Sequence, residues 1–387
     1  MVLKMQQDYV IDLLLKLVSI DTNSYKRKNY DVITNLIEEE AKKIGCSVEK
    51  IVDKKGIPHL KITLPNAPQE GKKVIFLTHY DVVPAGDGWD FDPFSPFVKD
   101  GKIFGRGASD DKSGIAATLA AFKEIIEKNV QPKIFPMLIV AGGEETGESE
   151  EFFRSIEGDI GVVLDVGPEG LSIGASGVAR VRVIVKGEQT HSAYPFKGKN
   201  AIYGATKLVS YLEKLAQELE NTVKSKYDAP EYYEKLPARM SVTIMKAGVA
   251  PNIIPGECEI IIDRRTIPEE KAVDAAKDLE TKIINFAREN GIEIDIEAKG
   301  LMDAWVTSDE AVVTKFAEIL KEVTGKEPKI VVELGGTDGV HLIERMPVIQ
   351  FGALRGDNNI HGKNEFVHIE DLYLTKEFVK KVILSNI

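Results

Sequence analysis

Short apolar runs and amphipathic stretches alternate along the first half of the chain. Tyr30 to Ile44 places Ile33, Leu36, Ile37, Ala41 and Ile44 on one face, and Gly45 ends the pattern. That period predicts a helix. Lys112 to Lys128 predicts another, with Ile115, Leu119, Phe122, Ile125 and Ile126 turned inward. Around them, Val74 to Thr78, Ile134 to Ala141 and Gly161 to Asp165 are continuous apolar runs. Such runs predict strands buried on both faces. Strands alternating with helices of this length predict a mostly parallel α/β sheet covered on both sides.

The pattern changes at Val178. The periodicity predicts a strand Val178 to Lys186, a helix Ala201 to Leu219, strands Ser241 to Lys246 and Glu257 to Asp263, a helix Glu269 to Glu289 and a strand Glu293 to Ala298. The order β-α-β-β-α-β is the ferredoxin-like arrangement. After Gly300 the α/β character returns. Thr307 with Glu310 reads as a capping box for a helix through Val323, and Pro347 to Ala353 as one more buried strand. The expected organisation is one α/β domain, residues 1–176 and 300–387, interrupted by an α+β insert at 177–299.

Composition narrows the partners. Lys plus Arg number 50 against 61 Asp plus Glu, a net charge of −11. That balance argues against nucleic acid or an anionic membrane, whose footprint is basic. The two cysteines, Cys46 and Cys258, match no metal or redox spacing. At the N-terminus, Asp8, Asp12 and Lys16 interrupt an apolar stretch of helical spacing, which does not suit a signal peptide. No run of uncharged apolar residues approaches the length a bilayer requires. The expected location is the cytoplasm.

Candidate chemistry collects where the apolar runs stop. Open α/β sheets place their sites outside the carboxyl ends of strands. His79, Tyr80 and Asp81 come directly after VIFLT, and GRGASDDKSG brings Asp110 and Asp111 to the start of a helix. Glu144 and Glu145 come after LIVAGG, Asp165 ends GVVLD, and His361 lies in NNIHGKNE beyond VIQFGALRG. Each feature alone has a bland reading, since adjacent glutamates are usually a solvated loop. Together, two histidines with three or four carboxylates suit a pair of divalent ions, most simply zinc. One carboxylate can bridge two such ions. No Gly-Lys-Ser/Thr phosphate loop and no Gly-x-Ser-x-Gly elbow is present. His59, His341 and His368 read as packing or surface residues, and Glu148 and Glu150 as a solvated face.

In order along the chain, HYDVVP, GRGASDDKSG, GGEETGE, the strand ending in Asp165 and IHGKNE resemble the signature of metallopeptidase family 20. This family of co-catalytic zinc hydrolases includes deacylases, carboxypeptidases and dipeptidases. The resemblance implies a zinc-exopeptidase-like domain interrupted by a lid or dimerisation domain. It implies that His79, oriented by Asp81, and Asp165 hold one ion, that Glu145 and His361 hold the other, and that Asp110 bridges them. Cobalt or manganese are alternatives to zinc. Asp111 is then a neighbour and not a ligand, and Glu144 is the general base toward the attacking water.

In the insert, GEQTHSAYP resembles the segment whose histidine, here His191, stabilises the oxyanion, in many members from a partner subunit. Asn252 in APNIIPGE and Arg265 in DRR match positions that bind the substrate's carboxylate, and Gly335 and Gly336 of GGTDG match a substrate-contacting loop. The family's deacylases carry Glu where this chain has Asp165, unless Glu169 takes that place. Asp resembles the dipeptidase and aminopeptidase members. The implied activity is hydrolysis of short peptides or N-acyl amino acids by a homodimer. The alternatives are a dedicated deacylase, such as succinyl-diaminopimelate desuccinylase or acetylornithine deacetylase, and a non-enzymatic binding protein on the same scaffold.

Overall fold

Four apolar runs lie side by side and parallel at the centre of one sheet: Phe135–Ala141, Lys73–His79, Ile160–Val163 and Val348–Gln350. Nearly every residue in them is buried, as continuous apolar strands require. The computed structural model describes residues 8–387, so residues 1–7 of the N-terminal stretch lie outside it.

Antiparallel strands extend the sheet beyond the parallel centre. Pro58–Thr63 and then Ser47–Val52 flank Phe135–Ala141. Leu171–Ala175 flanks Val348–Gln350, and Ile330–Glu333 lies beyond it. The hydropathy pattern does not reveal these flanking strands. Ser47–Val52 is a half-exposed edge, and Pro58–Thr63 carries His59 and Lys61 among its apolar residues. His59, expected to be a packing or surface residue, is fully buried inside this strand.

The helix Lys112–Glu127 is buried along most of its length, and it packs against Tyr9–Val18 and Ile369–Ile383. Its four alanines explain this. Ala116, Ala117, Ala120 and Ala121 let neighbours close on the flank that Ile115, Leu119 and Phe122 do not cover. Tyr9–Val18 starts at Asp8, whose side chain accepts from Val10 N–H. At the helix Glu310–Thr324 the expected capping box does not form. Asp309 is the cap, accepting from Val312 N–H, and Gly325 ends the helix in the left-handed region. Thr307 is drawn away because its hydroxyl both accepts from Val348 N–H and donates to Val348 O.

A second unit has its own sheet, in the order Arg239–Ala247, Glu257–Thr266, Gly177–Lys186, Ile294–Met302. All neighbours are antiparallel, which is the ferredoxin-like order 2-3-1-4 in chain sequence. Helices Ala201–Thr222 and Ala272–Glu289 cover the face that carries Val181, Val183, Val185, Cys258, Ile260 and Ile262. This unit spans Ala175–Val306 and takes in Val332–Gly336, while the remainder of the chain forms the first. It runs past 299 because Gly300 and Met302 still pair with Ala179 and Val178. Ser176 N–H donates to Glu333 O and Gly335 O, which ties the later segment to it. Among the described residues, no helix is long and apolar enough to cross a membrane.

Candidate metal centre

Parallel strands all end on the same side, so the loops leaving their carboxyl ends meet there. Lys73–His79 delivers His79, Phe135–Ala141 delivers Glu144 and Glu145, Ile160–Val163 delivers Asp165, and the chain beyond Val348–Gln350 delivers His361. Asp110 arrives from the turn ahead of the helix Lys112–Glu127.

Asp110 stands between the two imidazoles. His79 Nε2 lies 3.0 Å from Asp110 Oδ1, 3.8 Å from Asp165 Oδ2 and 3.9 Å from Glu144 Oε2. His361 Nε2 lies 3.1 Å from Asp110 Oδ2 and 3.2 Å from Glu145 Oε2. Two groups of metal-ligand type result, each with its ligand atoms within 4.8 Å of one another: His79, Asp111 and Asp165, and Asp110, Glu145 and His361. Asp111, expected to be only a neighbour and not a ligand, is thus a member of the first group. Its Oδ2 accepts from the main-chain N–H of His79 at 3.3 Å. Glu144 belongs to neither group.

These residues fit divalent ions. The Nδ1 of His79 lies 3.0 Å from Asp81 O, a carbonyl that only accepts, so Nδ1 carries the proton. The Nε2 of His79 then faces Asp110 Oδ1 at 3.0 Å, a contact that either a proton on Nε2 or a metal ion taken by both atoms satisfies. Asp165 Oδ1 is buried and without a hydrogen-bond partner. Imidazole and carboxylate are also the donors that zinc and its neighbours take.

The electrostatics point the same way. Glu144 is raised well above the usual carboxylate range by burial, then by Asp338, with Glu145 and Asp110 adding to it and His79 opposing. Asp165 and Glu145 are raised by burial first and by Asp110 next. Asp110 alone is lowered, because hydrogen bonds from His361 and His79 outweigh its burial. His361 is pushed up to about 10 by Asp110 and Glu145. His79, which burial by itself lowers, is raised by Asp110 and Asp81. A divalent cation held by these residues would supply the positive charge this cluster calls for and would invert these directions.

Asp81 differs from the expectation. Its carboxylate stands 3.7 Å from His79 Nδ1, beyond its own main-chain carbonyl, so the carbonyl makes the direct contact. The carboxylate instead accepts from Gly143, Glu144 and Glu145 N–H at 2.9, 3.2 and 3.2 Å. It folds the loop that bears both glutamates. Gly142 begins that loop under Tyr80, where an added Cβ would lie 2.1 Å from the phenol oxygen. Gly142 N–H donates to His59 Nδ1 at 3.3 Å, and the His59 ring stacks on Phe152. Burial lowers His59 to about 4, which keeps that nitrogen an acceptor.

Asp338 was missed by sequence reasoning. Its carboxyl is raised to about 7 by burial, opposed by His79 and supported by Asp81 and Glu145. The signal lay in GGTDG, where Asp338 follows the two glycines matched to a substrate-contacting loop.

The other expected site residues lie in the second unit. His191 ends a two-residue strand paired with Ile253–Ile254, and Asn252 O accepts from Ser192 N–H, so His191 and Asn252 share one small region. The His191 ring is exposed, and its Nδ1 accepts from Ala193 N–H at 3.0 Å. Arg265 pairs with Asp263 at 2.8 Å and stands across the strand pair from Arg239. Arg239 donates to Leu334 O, next to Gly335, at 2.8 Å. An added Cβ on Gly336 would meet Met302 Cε at 2.2 Å.

Imidazoles and carboxylates in two groups at the ends of the parallel strands suit divalent ions, and with the family and relatives that follow they make this chain a metal-dependent hydrolase. The chain belongs to peptidase family M20/M25/M40, whose sequence profile matches residues 75–385. It is 29% identical over 392 residues to the succinyl-diaminopimelate desuccinylase of a Sulfurovum species, covering 97% of this chain and 98% of that one. It is 29% identical over 366 residues to an uncharacterized metallohydrolase of Methanocaldococcus jannaschii, covering 86% of each. Among solved structures it is similar to human carnosine dipeptidase 1, with a TM-score of 0.78, 18% identity and coverage of 97% and 95%. It is also similar to a tripeptidase from Staphylococcus aureus, with a TM-score of 0.75, 22% identity and 97% coverage of both chains.

Proposed function

We propose that this chain hydrolyses an amide bond in short peptides or N-acyl amino acids, using two divalent ions, with zinc as first choice and cobalt or manganese as alternatives. His79, Asp110 and Asp165 hold one ion, and Asp110, Glu145 and His361 the other. The observation that carries this reading is Asp110, whose two oxygens lie 3.0 Å from His79 Nε2 and 3.1 Å from His361 Nε2. When bound, such ions polarise the carbonyl and lower the pKa of water.

Glu144 then has the role of base. It stands 3.9 Å from His79 Nε2 and belongs to neither ligand group, so its carboxylate is available for proton transfer. It takes the proton of the attacking water and passes it to the leaving nitrogen. His191 is proposed to donate from Nε2 to the carbonyl oxygen as negative charge develops there. Its Nδ1 already accepts from Ala193, which favours the Nε2–H tautomer. Asn252, Arg265, Gly335 and Gly336 are proposed to receive the substrate, with the Arg265 guanidinium toward its carboxylate. The assembly proposed is a homodimer through the second unit. Two buried, unpaired cysteines support a cytoplasmic setting.

A second reading, a dedicated deacylase, is favoured by the desuccinylase relatives. A panel of dipeptides, tripeptides, N-acetylornithine, N-succinyl-diaminopimelate and N-acetyl amino acids, assayed with added zinc or cobalt, separates the two. Turnover of free peptides is the expected result, and exclusive turnover of one N-acyl compound would favour the second reading. Full activity after exhaustive chelation overturns both.

A further inference from the structure

Glu365 is fully buried four residues beyond His361. Its carboxylate accepts from the main-chain N–H of Gly107 at 3.1 Å, Ser109 at 3.0 Å and Asp110 at 3.2 Å. It also accepts from Arg106 Nη1 at 2.6 Å. Arg106, itself buried, sends Nη2 back to Gly362 O at 2.7 Å. The segment that ends in Asp110 and the segment that begins at His361 are therefore joined twice, in opposite directions. Gly105 N–H to Glu365 O at 2.9 Å and Asn358 Nδ2 to Ser109 Oγ at 2.8 Å close the same seam.

The segment that ends in Asp110 is buried, whereas the one that begins at His361 is held little by its own packing. His361 has a φ of 60°, in the left-handed region that a non-glycine residue seldom adopts unaided. Its side chain is 54% exposed, so packing does little to fix it. A buried ion pair contributes little to net stability on average, because desolvation offsets the attraction. This pair is placed where position matters more than stability. Glu365 grips the main chain of Asp110 itself, and Arg106 grips the residue after His361.

We infer that Glu365 and Arg106 are positioning residues. They set the spacing between Asp110 and His361, and with it the affinity for the ion held by Asp110, Glu145 and His361. The inference rests on the two-ion reading above.

The test is competition of zinc or cobalt against a chelator of known affinity, on metal-free full-length chain, reading each equivalent of metal separately. Glu365→Gln removes the charge and offers one oxygen where two accept. It is expected to weaken the equivalent that His361→Ala abolishes by about 10- to 100-fold, as loss of a residue supporting metal ligands does. Arg106→Lys keeps a cation against Glu365 but loses the fork to Gly362, and is expected to give a smaller loss of the same equivalent. Ile37→Ala, a core deletion on the helix Tyr30–Lys43, should lower the unfolding midpoint and leave metal affinity unchanged. Should Glu365→Gln fail to fold, Arg106→Lys decides alone. Wild-type affinity in the folded variants, or an equal loss in Ile37→Ala, overturns the inference. A wild-type chain that takes up fewer than two equivalents overturns the two-ion reading, and the inference with it.

Discussion

Asp110 Oδ1 faces His79 Nε2 at 3.0 Å while its Oδ2 faces His361, so one carboxylate serves both halves of the centre. Removing it should differ in kind from removing a ligand of one half. Asp110→Asn is expected to abolish uptake of both metal equivalents, and His361→Ala to abolish one. Metal analysis after dialysis against zinc distinguishes them. Retention of two equivalents by Asp110→Asn is the result that contradicts the bridge.

Glu144 offers a cleaner separation of binding from chemistry. Glu144→Gln preserves shape, and the loop is held by Asp81 through main-chain N–H groups that the substitution leaves alone. Two metal equivalents should remain while kcat falls about 10²- to 10⁴-fold, the range for loss of a general base. Kinetics and metal analysis on one preparation check this.

Asp81 is expected to matter through the glutamate loop. Asp81→Asn turns an amide toward N–H groups that now meet a carboxylate oxygen. A buried donor left without a partner costs about 1–3 kcal/mol. The unfolding midpoint in denaturant should fall accordingly, and kcat should fall more than KM rises. An unchanged midpoint would remove Asp81 from this role.

His59 gives the folded state a specific pH dependence. Its folded value, about 4, lies below its ordinary 6.5, so the unfolded chain binds this proton more tightly. The contribution is fully present above pH 6.5 and is lost as the pH falls toward 4. The loss amounts to at most about 3 kcal/mol. His59→Asn, an acceptor that does not titrate, should flatten that part of the stability curve when both proteins are unfolded by urea from pH 7.5 to 4.5.

If His191 acts on the partner's site, two inactive variants should complement. A 1:1 mixture of His191→Ala and Glu144→Gln chains, unfolded and refolded together, is expected to regain about a quarter of wild-type turnover by random pairing in a two-fold dimer. Heterodimers that form without activity would place His191 in its own subunit's site or outside catalysis.

Much of this is legible in the residues, for a physical reason. Strands buried on both faces must be continuously apolar, so Lys73–His79 and Phe135–Ala141 announce themselves, and whatever ends such a strand stands out. Hence His79, Glu144, Glu145 and Asp165 can be found from the sequence. Edge and flanking strands carry no such signature, and Ser47–Val52 and Pro58–Thr63 escape notice.

The sequence by itself determined the alternation of strands and helices, the ferredoxin-like order of the second unit and the residue types at the strand ends. Local periodicity encodes these, because each depends on neighbours a few positions away. Only the tertiary structure decided which atoms meet. Asp81 grips the glutamate loop, Asp338 adds its charge to those that raise Glu144, and Glu365 returns to the main chain of Asp110 from 255 positions away. Hydrogen bonds of that range arise from how the strands stack, and no local pattern carries them.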